Sequence, residues 1–562
     1  MPGGRRAPVD RALREYARVR RHVGPGRAIS LDEAVHVAQR LSRRDFLRLS
    51  GIAGAGALLA SCDPGGSSDP APTTGVAPTV AGGDGPRVVI VGAGLAGMTA
   101  AYRLHQAGLQ PLVFEARDRV GGRCWSARDW DGRQVAEHGG EFVDTRHVHM
   151  RVLVDELGLE LDDLWSAWVP GSTWLSYVDG EIVKARNEFQ LMAPAIDEVV
   201  ALAATGPLEA GASPPEIVAF DEMSAADWYT ADVGSASTGL YRLWTQRLAG
   251  WYGLDPAQLG AGNLIDFYAI DSPGGDERYT VRGGNDQVPA RILDELPEGT
   301  VTYEAPLEAV RAASDGAIEL RFGGVAAPVV ADRVILAVPF TTLRQVDLDD
   351  AGFSDAMREA VDELGMGTNA KVLMQFDRPF YTGFGDWSGG MNRADEPILG
   401  TWESGGTDGA DGLGLLTVYS GGHVGAGYAA AEPHAAADQE VIDDTLTALD
   451  QVVPGVAAAF NGRAWLDSWV QDPWVGGSYA AFLPGQLTRF WGATSQPQGS
   501  AHLAGEQTST YSQGFLNGGV ESGSRAAAEV LETLGLPLPA GLERSNRLAR
   551  RFQPAFPWPE VP

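Results

Sequence analysis

The most informative run of apolar positions in this chain is Val88-Val89-Ile90-Val91, four β-branched residues in a row. Such a run predicts a strand buried on both faces, as in a parallel sheet. It leads straight into Gly92-Ala93-Gly94-Leu95-Ala96-Gly97 and then a predicted helix, Met98–Ala107. A second predicted strand, Pro111–Phe114, ends in Glu115, eighteen residues after Gly97. Near the far end a short strand at Ala501-His502-Leu503 precedes Gly505-Glu506, a glycine-rich stretch Gly514–Gly523 and an Ala-rich helix, Arg525–Leu534. Between these ends, residues 145–280 read as helix-rich with many Trp and Ala, and 345–490 as mixed strand and helix.

Strand, glycine turn, helix, strand and terminal acid together form a dinucleotide-binding unit. Gly92, Gly94 and Gly97 give a tight turn, a close backbone approach to a pyrophosphate and close packing of helix on strand. Glu115 stands where a carboxylate accepts hydrogen bonds from a ribose. Arg117-Asp118-Arg119-Val120-Gly121-Gly122-Arg123 follows at once, adding a second glycine pair and arginines, Arg117 and Arg123, able to reach phosphate.

Composition narrows the class. A chain of 562 residues with 15 Trp and 18 Phe can fill two or three packed domains. The formal charge is −30, although residues 1–61 are basic, with 12 Arg against 5 acids. So acidic a body repels nucleic acid and other polyanions. There are 43 basic residues, and only Lys184 and Lys371 among them are lysines. Lys371 lies inside an apolar predicted strand, Asn369-Ala370-Lys371-Val372-Leu373-Met374, where a compact ammonium makes contacts that a planar guanidinium cannot copy. Lys184 falls in a polar turn. No His, Cys or acid spacing predicts a metal site; His147 and His149 read as solvated or structural.

The N-terminus is an address. Ser42-Arg43-Arg44-Asp45-Phe46-Leu47, an apolar stretch Ile52–Ala60 and Leu59-Ala60-Ser61-Cys62 resemble a twin-arginine export signal ending in a lipoprotein cleavage box, with Cys62 as the lipidated residue. The apolar stretch is too short for a good membrane span. Residues 63–85, rich in Gly, Pro, Ser and Thr, form a flexible tether of up to roughly 75 Å. The expected location is the outer face of a bacterial cytoplasmic membrane or the exterior. Cys124, the second of two cysteines, is expected to be a small buried thiol.

The Glu-Ala-Arg-x-Arg-x-Gly-Gly-Arg run at 115–123 and the closing segment 501–523 together resemble the flavin-containing amine oxidase family, which includes monoamine oxidases and L-amino acid oxidases. Further matches are the turn Arg282-Gly283-Gly284-Asn285-Asp286-Gln287-Val288-Pro289, the strands Thr300–Tyr303 and Arg333–Pro339, and Glu137-His138-Gly139-Gly140-Glu141-Phe142-Val143. The resemblance covers about 86–535. It implies an α/β fold: a discontinuous Rossmann-like FAD-binding domain (86–144, 281–344 and 495–540) with a mixed α+β substrate-binding domain (145–280 and 345–494), and a tail at 541–562.

The resemblance also implies roles. Gly140 lies beside the flavin, the Leu307 backbone near adenine, Glu506 on the ribityl chain, and the helix start at Gly518-Gly519-Val520 points N–H groups at the flavin carbonyl. Lys371 matches the lysine that reaches flavin N5 through water and assists reaction with oxygen. Trp469-Val470-Gln471-Asp472-Pro473-Trp474-Val475-Gly476-Gly477-Ser478-Tyr479 matches the segment that puts an aromatic before the flavin, with Tyr479 and Phe515 as cage walls and Tyr419 a third pocket residue. Ser478 stands where animal monoamine oxidases carry a flavin-linking cysteine, so the FAD is expected to be noncovalent. Where amino acid oxidases of the snake-venom type bind the substrate carboxylate through arginine, this chain has Val143. The expected reaction is oxidation of an amine by hydride transfer to flavin N5, with O2 as acceptor and hydrogen peroxide as product; an L-amino acid oxidase and a non-catalytic flavin-binding lipoprotein are the alternatives. Expected partners are a small amine or amino acid and O2, with no nucleic acid and membrane contact only through the lipid anchor. The oligomeric state stays open, a homodimer being one option.

Overall fold

A computed structural model describes residues 85–164, 173–183, 196–233, 239–270, 277–379, 387–393, 398–404, 412–428 and 431–550. Cys62, Lys184, the export signal and the tether lie outside the described residues.

The β-branched run forms the strand Val88–Val91, all four residues buried, at the centre of a five-stranded parallel sheet. The strand order is Ala501–Leu503, Arg333–Leu336, Val88–Val91, Leu112–Phe114 and Val301–Thr302, so one sheet gathers strands from three distant parts of the chain. Alternation along Val88–Val91 serves both faces. Val88 and Ile90 pack with Met98 and Ala527 beneath the helices, whereas Val89 and Val91 pack with Phe114 and Leu320. The second face is covered by an antiparallel meander, Leu307–Ala312, Ile318–Phe322 and Val329–Ala331, with the Phe114 and Phe322 rings stacked at 4.1 Å.

Helix Leu95–Gln106 lies against helix Leu516–Thr533. Glycine permits this closeness, because a Cβ on Gly523 would meet the Ala96 carbonyl oxygen at 2.2 Å. The second helix begins nine residues before the predicted Arg525. Gly518 and Gly519, which mark loops in a sequence, here serve as the smooth face that packs on Leu95 and the Ser509–Ser512 turn.

The second sheet has eight strands in the order His434–Ala436, Phe460–Ser468, Ala370–Phe376, Gly414–Ser420, Gly400–Glu403, Trp387–Arg393, Thr173–Val178 and Glu181–Val183. Its neighbours are antiparallel except Trp387–Arg393 with Thr173–Val178. All seven residues of Ala370–Phe376 are buried. Val372, Met374 and Phe376 face Leu449 and Val452 of helix Gln439–Val452. Lys371, Leu373 and Gln375 face the first domain: Leu373 packs on Ala127 and Ala136, and Gln375 bonds Gln134 and Asp131. This architecture is a Rossmann-like α/β domain joined to a mixed α+β domain. Helix Ala540–Ala549, which takes in the first nine residues of the expected 541–562 tail, is seated on Val148–Glu156, with Leu542 fully buried and Arg544 paired to Asp155.

Candidate active site

The glycine turn has the shape of a phosphate cradle. Gly92 has φ +95°, and a Cβ there would meet the Ala337 carbonyl oxygen at 2.7 Å. At Gly97 a Cβ would fall 1.9 Å from the Gly92 carbonyl oxygen, so helix and turn touch backbone to backbone. Gly94 differs: a Cβ would meet nothing within 4 Å, which leaves room for a ligand over the helix start. Neither Leu95–Gln106 nor Leu516–Thr533 has a side-chain cap on its first N–H groups, and the two N-termini converge, with a Gly519 Cβ 3.6 Å from Leu95. Gly122, at φ +57°, backs onto the Gly94 Cα, and Arg119 holds a buried Nη2 with no acceptor among the described residues. Uncapped amides, open space and an orphaned guanidinium donor fit a pyrophosphate.

Glu115 ends the second strand, 7% exposed, and accepts from the Ala93 and Arg117 N–H groups at 2.6 and 2.9 Å. Burial raises its carboxyl above the usual range, against the pull of those amides. Arg117 reaches across to Asp472, at 2.5 and 2.6 Å from its two oxygens. Arg123 donates to the Ser478 carbonyl and to Glu506, and Glu506 also accepts from Ala480 and Gly514. Arg117, Asp472, Arg123 and Glu506 therefore knit the loops at 117–123, 472–480 and 506–514 together. Leu307 opens the meander opposite Phe322, and Val520 is wholly buried under the helix pair.

A transverse row of the eight-stranded sheet carries the remaining chemistry. His434 stands opposite Asp467, Asp467 opposite Lys371, Lys371 opposite Tyr419, and Tyr419 opposite Gly400. Directly opposed residues share a face and touch. The Lys371 ammonium, 5% exposed, donates to the Glu137 and Gly139 carbonyls at 2.8 Å and to Glu141 at 2.9 Å. Glu141 in turn accepts from Ser404. Gly139 and Gly140 are pinned from the other side: a Cβ on Gly139 would lie 1.8 Å from the Arg123 carbonyl oxygen, and one on Gly140 would lie 2.7 Å from Leu516.

Tyr419 meets Tyr479 hydroxyl to hydroxyl at 3.0 Å, and Tyr479 also reaches the Gly250 and Trp251 carbonyls. Burial pushes both phenols up, so both stay protonated at neutral pH. Trp402 extends the aromatic wall, 5.1 Å from Tyr419, with Phe142 at 5.4 Å beyond it and Lys371 at 5.6 Å over its ring. The Tyr479 ring covers Gly514, next to Phe515, and Phe515 lies 5.1 Å from His147. Trp469 is buried, with Nε1 on the His138 carbonyl.

A buried chain of charge runs behind this wall. His138 and His434 both bond Asp467, and His434 also bonds Asp472, the partner of Arg117. Burial resists the charge on His434, but the two carboxylates outweigh it and raise the imidazole. Burial likewise resists the charge on Asp472, yet His434 and Arg117 hold it down at about 2. His147 and His149 are both buried and neutral, desolvation lowering them to about 3 and about 4, which excludes the solvated alternative. Cys124 is buried and its thiol is raised by desolvation.

Sequence reasoning missed Glu141 as the lysine's partner, Trp402, and the His138–Asp467–His434–Asp472 chain. It also missed Asn285, whose amide holds the Gly140 and Glu141 carbonyls. Asn285 and Asp472 lie inside segments already singled out, but no local pattern tells what they touch.

With cradle, ion pair and aromatic wall assembled, the molecule is an FAD-dependent oxidoreductase of two domains. The family model for flavin containing amine oxidoreductases matches residues 95–531, and the chain belongs to that family. It is 26% identical to an L-amino acid dehydrogenase of Synechocystis sp., over 79% of this chain and 95% of that relative. It is 24% identical to amine oxidase [flavin-containing] B of Sus scrofa, over 80% and 86%. Cyclohexylamine oxidase from Brevibacterium oxydans superposes with a TM-score of 0.70 at 26% identity, over 80% of this chain and 99% of that structure.

Proposed function

We propose that this protein oxidises a small amine with O2, releasing hydrogen peroxide and, after hydrolysis of the imine, an aldehyde or ketone with ammonia or an amine. The observation that carries the reading is the aromatic wall of Tyr479, Tyr419 and Trp402 beside a buried lysine on the Gly139–Gly140 turn. When bound, FAD would supply the two-electron acceptor for the amine's oxidation, with O2 as the final oxidant. The cradle at Gly92–Gly97 and the helix start at Gly518–Val520 would hold the cofactor, noncovalently at Ser478, which offers no thiolate. The rings orient the amine by their quadrupoles and keep water from the reacting carbon. Both phenols are hydrogen-bonded and protonated, so neither takes the amine's proton; the amine sheds it on entering the dry site.

A second reading, oxidation of an L-amino acid, is favoured by the cyanobacterial relative's name and by the Trp402 Nε1, buried without an acceptor among the described residues. Against it, Val143 is fully buried and bridged to Tyr279, leaving no cation at that position. Anaerobic mixing of the yellow holoenzyme with panels of amines and L-amino acids decides. Bleaching by monoamines or diamines, with peroxide on readmitting air, is the expected result. Bleaching by amino acids alone transfers the assignment to the second reading, and no bleaching by either panel sinks both.

A further inference from the structure

We propose that Glu141 is a positioning residue that cancels the charge of Lys371, so that the active-site lysine meets the cofactor as a neutral ion pair rather than as a free cation. The inference rests on the reading that places the cofactor ring between the Gly139–Gly140 turn and Tyr479.

An ammonium has three N–H donors. Here each has a protein acceptor: the Glu137 carbonyl, the Gly139 carbonyl and the Glu141 carboxylate. The side chains of Lys371 and Glu141 are each 6% exposed, so solvent screens the pair little. Glu141 is fixed from both ends, one oxygen on Lys371 and the other on the Ser404 hydroxyl. Asp467, the other carboxylate beside Lys371 in the row, is already committed to His138, His434 and Trp465, and Glu137 is turned toward Ser126 and Asn285. Glu141 is thus the counter-ion.

The consequence is electrostatic. A lone buried cation beside a redox cofactor favours the electron-rich reduced form, and a lone buried anion disfavours it. A close pair presents only a dipole, whose field falls off faster than that of a charge. Removing either partner should therefore expose the other, with opposite signs.

The test needs no substrate, so it stands apart from the amine assignment. Midpoint potentials of the FAD-loaded wild type, Glu141→Gln, Lys371→Met and the double variant would be measured by dithionite titration against a reference dye. Glu141→Gln should favour the reduced form about tenfold, a rise of about 30 mV for a two-electron couple. Lys371→Met should shift it about tenfold the other way, and the double variant should return to within about threefold of wild type, a shift of under 15 mV on the same scale. Glu141→Asp should restore the wild-type value. If both single variants move the potential in the same direction, or neither moves it, the proposal is wrong. Should Glu141→Gln fail to fold, Lys371→Met against the double variant still decides: recovery supports the pairing, and an unchanged low potential overturns it.

Discussion

The two ends of the proposed cofactor site are built on opposite principles. The phosphate cradle at Gly92–Gly97 is made of backbone, and what matters there is the absence of side chains. The row His434–Asp467–Lys371–Tyr419 is made of side chains, placed next to one another by register across four strands. A cradle needs only local geometry, so six residues specify it. A row needs the whole sheet, so its members lie far apart in sequence and acquire meaning only on folding. Tolerance to substitution should differ accordingly: the cradle should fail sterically, the row electrostatically.

The sharpest break comes from Gly97→Val. Its Cβ would press on the Gly92 carbonyl oxygen, a backbone atom that cannot step aside. We expect a cost of about 3 kcal/mol or more and protein that purifies colourless or insoluble. A yellow, soluble variant would show that the turn is slack.

Asp472→Asn tests the electrostatic side. Asp472 is fully buried between Arg117 and His434, and its loss leaves the Arg117 guanidinium without its carboxylate and His434 with Asp467 alone. Denaturant unfolding at pH 7 should show a loss of about 3 kcal/mol. The gap between wild type and variant should depend on pH on both flanks. Asp472 is held at about 2, below the ordinary 3.8, so its contribution is present above pH 3.8 and fades as pH falls through 2. His434 is raised, so its contribution is fully present below the ordinary 6.5 and fades as pH rises through the elevated value. A gap constant from pH 2 to 9 would show that the chain is not charged.

The smallest effect isolates the cradle's function from its fold. Gly94 has ordinary extended φ and ψ, and its Cβ would meet open space. Gly94→Ala should leave stability within about 0.5 kcal/mol. FAD affinity, read by fluorescence titration of the stripped protein, should fall about tenfold, or about 1.4 kcal/mol. Unchanged affinity would mean that the pyrophosphate does not approach there.

The same contrast explains what could be read in advance. Strand, turn, helix and Glu115 were legible because each signal sits within thirty residues of the others. Lys371 was legible because lysine is so scarce in this chain. Its partner was not: Glu141 lies 230 positions away in a loop, and only the packing of that loop against strand Ala370–Phe376 brings the two together. Trp402 and Ser404 belong to a four-residue strand and its end, too short to carry a period. Nor was the contact of Arg117 with Asp472 legible: the two lie 355 positions apart, and the pair closes at 2.5 Å only on folding. Helix Leu516–Thr533 starts two residues before the Gly518 start that the resemblance implies and nine before the Ala-rich run at Arg525, tertiary packing overriding the poor helix propensity of glycine.

The strand order of the parallel sheet also has a consequence in time. Its outer member, Ala501–Leu503, pairs with Arg333–Leu336, which pairs with Val88–Val91. During synthesis the first strand must wait for nearly the whole polypeptide to emerge before its sheet closes. A polypeptide cut short before residue 501 lacks the outer strand of that sheet, however complete the rest of it is.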